Sequence, residues 1–240
     1  MTAINAFFTY DEMFAYLACD GAAFNYADGK VTALGSKVSM FPEYGIVWAM
    51  AGPNLSAYIA EHVCQGAPLD QRGVLRLMQE AFIECRSAMK LGKPEGEASF
   101  VNDMTIIAAV YLEGEARPAI YRIASCDKAM PDCPVNEWHE IEGTIQPPEV
   151  PAYIKDRGMF LDDAVTDCRA VFRAQRHAAF PGMNGAVAVA GTCQLYRVGP
   201  DGIKAWDILD FGEQIGDRAN LVDQGTDVLR RHMGPQYVTR

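Results

Sequence analysis

The chain lacks any apolar run long enough to cross a membrane. Its longest runs are the size of a β-strand, such as residues 186–190, whereas a membrane helix needs about 20 apolar residues. The first residues hold no basic segment, and Asp11 and Glu12 interrupt the apolar residues near the start, unlike a secretory signal. We therefore expect a cytoplasmic protein with no membrane partner.

Clusters of basic residues are also missing. The formal net charge is −10, from 21 Lys and Arg against 31 Asp and Glu. An acidic surface repels a phosphate backbone, and no run of Lys or Arg is present to displace its counterions. A nucleic-acid partner is therefore not expected.

The cysteines and histidines show no spacing typical of metal ligands. The seven cysteines are scattered without a Cys-x-x-Cys pair, and the four histidines lie far apart in the sequence. Such cysteines are typical of small hydrophobic residues in the core of a protein from a reducing compartment. No glycine-rich phosphate motif opens a predicted helix. We expect neither a metal nor a cofactor.

The sequence does contain enough apolar material for one large core. It has 240 residues, 50% of them hydrophobic, which fits a single domain over residues 1–240 with a polar tail from residue 212. Short apolar or alternating runs predict strands, and helical periodicity predicts helices. The predicted order is strands within 4–52, helices at 56–65 and 70–90, strands at 103–112 and 119–125, a helix at 163–180, and strands at 185–198 and 202–210.

This order of elements predicts an α+β fold. Strand blocks separated by helices suit two antiparallel sheets packed between helical layers, a four-layer αββα sandwich. A doubly wound parallel sheet would instead alternate strands and helices regularly. The proline-rich segment 126–151 gives no regular prediction, and a short helix is expected near 227–232. The expected helix caps are Asn54 or Ser56, Asp70, and Asp162 or Asp163.

Four residues, in order, resemble a known active site. Thr2 precedes the first predicted strand, Asp20 ends the second, Lys37 lies before a valine, and Gly52 enters the first helix. This series is similar to that of proteasome β subunits and bacterial proteasome-like peptidases, members of the N-terminal-nucleophile hydrolase superfamily. The resemblance covers most of residues 2–125 and, more loosely, the helix and strands after 160.

The resemblance implies a threonine-type peptidase or amidohydrolase that acts on a peptide or amide substrate. Removal of Met1 would free the α-amine of Thr2 to act as base for the Thr2 hydroxyl. Lys37 would favour the ionised hydroxyl, acting on Thr2 and not on the core, and Asp20 would hold Lys37 charged. The Gly52 N–H would stabilise the oxyanion. The family's peptidase rings also imply a homo-oligomer, and no motif specifies an ATPase partner.

Two parts of the family pattern differ in this chain. A Gly-Ser-Gly turn is replaced by residues 142–144, where Thr144 is at best a substitute for the serine, and a later Asp-x-x-Ser motif has no counterpart in 180–185. A catalytically inactive structural or assembly subunit is therefore the alternative function. A third alternative is a hydrolase that uses Cys19 or Cys193 as its nucleophile.

We predict a closed homo-oligomer in solution. The apolar stripes at 55–63 and 74–85 are wide for helices that cover one sheet, and exposed apolar patches are rarely left bare on a soluble monomer. Light scattering behind a sizing column should give a mass several times that of the 26.3 kDa chain. A single species at the monomer mass at micromolar concentration would contradict assembly.

Overall fold

The structure is a computed structural model. It describes residues 3–9, 13–25, 28–53, 55–91, 104–125, 134–146, 151, 154, 160–161, 163–177, 189–218 and 230–231, and the structural statements below concern these residues. None of the described helices is long and apolar enough to cross a lipid bilayer.

The described residues form fourteen strands, three α-helices and a 3₁₀ turn. The strands are β1 (Ile4–Thr9), β2 (Ala15–Cys19), β3 (Ala22–Phe24), β4 (Val31–Leu34), β5 (Val38–Phe41), β6 (Ile46–Ala51), β7 (Thr105–Leu112), β8 (Arg117–Ala124), β9 (His139–Glu140), β10 (Thr144–Gln146), β11 (Phe160–Leu161), β12 (Thr192–Gly199), β13 (Gly202–Asp210) and β14 (Arg230–Arg231). The helices are α1 (Ser56–Gly66), α2 (Gln71–Leu91) and α3 (Ala164–His177), and the 3₁₀ turn spans Pro42–Tyr44.

Most of the strands belong to two large sheets. The first sheet has the order β10-β1-β2-β12-β13-β14, antiparallel throughout, and β11 adds a short parallel pairing to β1. The second sheet has the order β5-β6-β7-β8-β9, also antiparallel. Strands β3 and β4 form a separate hairpin. In the sequence it lies between β2 of the first sheet and β5 of the second.

Three apolar layers hold the sheets and helices together. Alternate side chains of a strand point to opposite faces, so Trp48 of β6 packs towards α1 and α2 while its neighbour Val47 packs against the first sheet. On the outer face of the first sheet, Phe7 packs with Phe172 of α3. The order of layers is helices, second sheet, first sheet, helix. The predicted αββα sandwich of two antiparallel sheets is confirmed.

Two of the predicted helix caps are observed. Asp70 accepts a hydrogen bond from the N–H of Gly73 at 2.7 Å, and Asp163 accepts one from the N–H of Thr166 at 2.7 Å. The prediction for α1 was wrong at Ser56, which is already the first helical residue. Leu55 occupies the cap position and makes no capping hydrogen bond through its side chain. Asn54 lies outside the described residues.

The structure divides the expected strand at 31–38 into two parts. Residues 35–37 leave the strand conformation, so β4 pairs with β3, whereas β5 begins the second sheet. Within the proline-rich segment, β9 and β10 each add a short strand to the edge of a sheet. The helix predicted near 227–232 is wrong at Arg230–Arg231, which form β14; residues 227–229 and 232 lie outside the described residues.

The described start of the polar tail packs closely against the rest of the chain. Glu213 is buried and forms an ion pair with Arg176, which is 1% exposed. The backbone of Asp217 accepts a hydrogen bond from the N–H of Val31 at 2.8 Å. This part of the tail therefore covers one edge of the β3–β4 hairpin.

Candidate functional site

Asp20 is the centre of the candidate site. It follows β2 directly and is fully buried. One carboxylate oxygen accepts a hydrogen bond from the N–H of Ala3 at 2.8 Å, and the other lies 3.4 Å from the N–H of Ala22. Both oxygens also accept hydrogen bonds from the Lys37 ammonium, each at 2.9 Å. A buried carboxylate needs such partners because burial removes its hydration.

The segment between β4 and β5 carries Lys37 to Asp20. On one side of Lys37, the N–H of Gly35 donates to the carbonyl of Gly21 at 2.9 Å. The Lys37 side chain is 16% exposed, so its ammonium lies at the edge of the buried region and not within it. Two of its three N–H groups are used by Asp20, which leaves one donor for another group.

Close packing next to Asp20 requires a glycine at position 21. A Cβ atom there would lie 2.5 Å from the carbonyl oxygen of Thr192, a distance that carbon atoms do not reach without a shift of the backbone. The Gly21 N–H donates to the carbonyl of Ala190 at 3.2 Å. The segment that enters β12 is thereby held directly against the turn that carries Asp20.

Gly52 lies at the same end of the second sheet as Lys37. Strands β5 and β6 are antiparallel, and Val38 pairs with Ala49. Because the two strands run in opposite directions, Lys37, which precedes Val38, and Gly52, which follows β6, lie at the same end of the sheet. Gly52 has φ of 109°, a left-handed conformation that glycine adopts more readily than other residues.

The structure brings together two of the four predicted site residues and places a third at the same end of the fold. Asp20 and Lys37 are in direct contact, and Gly52 follows the neighbouring strand. Thr2 lies outside the described residues, so its position in the site stays a prediction. Ala3, the residue joined to Thr2, is buried and hydrogen-bonded to Asp20.

Thr144 does not lie next to the start of β1. It pairs with Ala6, and the pairing continues towards Gln146 opposite Ile4. Ala6 is three residues beyond Ala3, which is about 10 Å along a strand. Thr144 therefore lies about 10 Å along β1 from Ala3, which weakens its candidacy as a substitute for the family's serine.

The cysteine alternatives are weakened by burial. Cys19 and Cys193 are both inaccessible to solvent. Burial raises the pKa of each thiol, and the nearby Asp20 carboxylate raises it further, although Lys37 acts in the opposite direction. A thiol reacts as its thiolate, so both residues are poor nucleophiles in the folded protein. Among the described residues, no group of His, Cys, Asp or Glu side chains is arranged to hold a metal ion.

Two parts of the site were missed by sequence reasoning. The hydroxyl of Tyr196 lies 3.0 Å from that of Ser36, which is next to Lys37. Arg176 and Glu213 form a buried ion pair that also holds the backbone of Val189 and Gly191. In each case the partners lie far apart in the sequence. The only signal in the sequence is a polar residue at a position of a strand or helix that the periodicity assigns to the core.

Comparisons with known proteins support the fold. The sequence matches no protein-family model and no curated protein. Among solved structures, the chain is similar to a Gly-1 mutant of Anbu from Hyphomicrobium sp. strain MC1, with a TM-score of 0.57, 17% identity, and coverage of 91% of this chain and 90% of that chain. At this level of identity the similarity shows a shared fold, in agreement with the four-layer sandwich described above, and it does not single out a proteasome β subunit.

Lys37 is expected to stabilise the fold as well as the site. This differs from the expectation from the sequence that Lys37 acts on Thr2 and not on the core. Lys37→Ala leaves the Asp20 carboxylate buried without its counter-ion and should lower the free energy of unfolding by about 3 kcal/mol. Lys37→Arg keeps the charge and should cost less.

The matched control is Lys204→Ala, which breaks a more exposed ion pair to Asp201 and should cost less than about 1 kcal/mol. Urea unfolding of the three variants measures the differences. Equal losses for Lys37→Ala and Lys204→Ala would show that the Asp20 pair has no special structural role.

The thiols provide a separate test. In the folded protein, iodoacetamide should modify the exposed Cys64 well before Cys19 or Cys193, because the latter two are buried and their pKa values are raised. Peptide mapping after a short reaction at pH 8 gives the order. Early modification of Cys19 or Cys193, together with loss of hydrolysis, would support a cysteine nucleophile.

Proposed function

We propose that the chain is an N-terminal-threonine hydrolase that cleaves peptide or amide bonds, with Thr2 as nucleophile. The observation that carries the proposal is the Asp20–Lys37 ion pair, held against the backbone of Ala3, the residue that follows Thr2. The fold supports it, because a hydrolase of this type uses the residue at the start of the first strand.

The reaction begins with removal of Met1, which frees the α-amine of Thr2. An α-amine has an ordinary pKa of about 8, so part of it is neutral near physiological pH and can accept the proton of the Thr2 hydroxyl. The oxygen then attacks the carbonyl carbon of the substrate. Expulsion of the amine, which takes the transferred proton, leaves an ester on Thr2, and water hydrolyses this ester to release the acid.

Lys37 and Asp20 supply the charge that this chemistry needs. The third N–H of the Lys37 ammonium is available to the Thr2 oxygen and favours its ionised form. Asp20 holds the Lys37 ammonium in place, because both oxygens of this buried carboxylate accept its hydrogen bonds. The N–H of Gly52 donates to the oxyanion in this proposal, at a turn where glycine leaves room for the substrate.

A homo-oligomer remains part of the proposal, but its basis changes. Most of the apolar stripe on α2, including Val74, Met78 and Phe82, is buried within the chain. Among the residues of α1, α2 and the turn between them whose exposure the structure describes, the exposed large apolar side chains are Leu69, Tyr58 and, to a smaller extent, Ile83. These three are the residues that contacts with a second copy would cover.

A catalytically inactive structural subunit is the second candidate. The observation that favours it is the position of Thr144, which pairs with Ala6 and so lies about 10 Å along the strand from Ala3. An active site without a helper hydroxyl depends on the α-amine of Thr2 alone as base. If that amine is not freed, the same fold has no nucleophile at this position.

The test combines the mass of the protein with hydrolysis of peptide substrates. Intact mass spectrometry of protein made from an untagged start should show the loss of one methionine. A panel of fluorogenic peptides should then be cleaved, and Thr2→Ala should reduce turnover by at least about 10³-fold, as loss of a nucleophile does in related chemistry. Thr2→Ser keeps the hydroxyl and should retain part of the activity.

Thr32→Ala is the matched control. Thr32 is exposed on β4, far in the sequence from Thr2 at the start of the first strand. It should leave turnover unchanged. Full activity of Thr2→Ala, or retained Met1 in active material, would contradict the mechanism. Processed protein that cleaves none of the peptides would favour the inactive subunit.

A further inference from the structure

A chain of hydrogen bonds leads from the Lys37 segment into the first sheet. The N–H of Val38 donates to the hydroxyl of Ser36 at 3.2 Å, and this hydroxyl lies 3.0 Å from that of Tyr196. The Tyr196 hydroxyl donates to the side-chain oxygen of Gln194 at 3.2 Å, and the Gln194 amide donates to Asp207 at 3.1 Å. The chain thus ends on a carboxylate, which only accepts hydrogen bonds when ionised.

The direction of this chain follows from the number of protons available. The Tyr196 hydroxyl has one proton, which it gives to Gln194, so it accepts from Ser36. Tyr196 and Gln194 are 2% and 6% exposed, so water has little access to the hydrogen bond between them, whereas Ser36 at the start of the chain is exposed. Hydrogen bonds aligned in one direction in a buried region polarise and strengthen one another.

The chain fixes the backbone on both sides of Lys37. The Ser36 hydroxyl gives its one proton to Tyr196 in this arrangement and accepts a hydrogen bond from the N–H of Val38, and so spans Lys37. On the other side, Gly35 is tied to Gly21, next to Asp20. Residues 35–37 belong to neither β4 nor β5, so these bonds replace the pairing that a strand would provide.

We propose that Tyr196 is a positioning residue, which holds Ser36 and thereby orients Lys37 towards Asp20 and the proposed nucleophile. Its ring packs in the core between the two sheets, so its hydroxyl is carried by a rigid strand, β12. The proposal rests on the proposed function for its catalytic meaning. Its structural part, the control of Lys37 by Tyr196, is measurable without any turnover.

Tyr196→Phe is the variant that isolates the hydroxyl. The ring stays in the core, whereas the hydrogen bond to Ser36 is lost. Loss of a hydrogen bond of ordinary strength changes the population of the conformation in which residues 35–37 align Lys37 by roughly fivefold. We expect kcat to fall by about that factor with little change in KM, because substrate contacts are untouched. A smaller folded fraction would also lower the apparent kcat without changing KM, so turnover is expressed per folded protein and the acylation rates below serve as the independent readout.

The independent readout is the rate at which the Lys37 amine is acylated. In the parent protein the ion pair to Asp20 protects this amine, so acetic anhydride at low dose should modify it slowly, with the exposed Lys30 as internal reference. Tyr196→Phe should raise the rate at Lys37 about fivefold and leave Lys30 unchanged. Tyr44→Phe is the matched control, because it also removes a hydroxyl bonded at 2.7 Å, to the carbonyl of Pro68.

Ser36→Ala provides a second variant at an exposed position, in case the core substitution impairs folding. Faster acylation of Lys37 in Ser36→Ala and in folded Tyr196→Phe, but not in Tyr44→Phe, would support the proposal. An unchanged rate at Lys37 in Ser36→Ala would overturn it. Absence of turnover in the parent protein would count against the proposed function alone, because the acylation rates still decide the role of Tyr196.

Discussion

The ion pair between Asp20 and Lys37 joins three segments that are far apart in the sequence. Asp20 is buried at the end of β2 and binds the backbone of Ala3 as well as the Lys37 ammonium. A buried carboxylate without partners costs much free energy. Asp20 therefore fixes the positions of its two partners, the start of β1 and the segment before β5. The tight packing of Gly21 against Thr192 then adds the entry to β12 to the same unit.

Both sheets contribute to this unit, so the core between them determines its geometry. Cys19 and Ile4 of the first sheet and Val38 and Ala49 of the second belong to one apolar cluster, immediately beside the polar residues. A positive charge is thereby fixed at the amino-terminal end of β1. In the proposed hydrolase, that is the place where a threonine hydroxyl needs to lose its proton. The sheets thus act as a rigid support for a short polar site.

Local patterns in the sequence were sufficient for much of the fold but not for its long-range contacts. Periodicity and the Asp70 and Asp163 caps predicted helices α2 and α3 closely, because those signals are local. The order of Thr2, Asp20 and Lys37 predicted a pairing of the last two, which the structure contains. The Ser36–Tyr196 contact and the pairing of Thr144 with Ala6 depend on how strands align in space, and such alignment leaves no local pattern.

The central claim, that Thr2 is the nucleophile next to this ion pair, is tested most directly by covalent trapping. A peptidyl epoxyketone forms a stable ring only with a residue that offers both a hydroxyl and a free α-amine, so thiols do not mimic the product. The account predicts one adduct per chain, mapped to Thr2 by tandem mass spectrometry and absent from Thr2→Ala. A processed protein that forms no adduct, or an adduct at another residue, would contradict it.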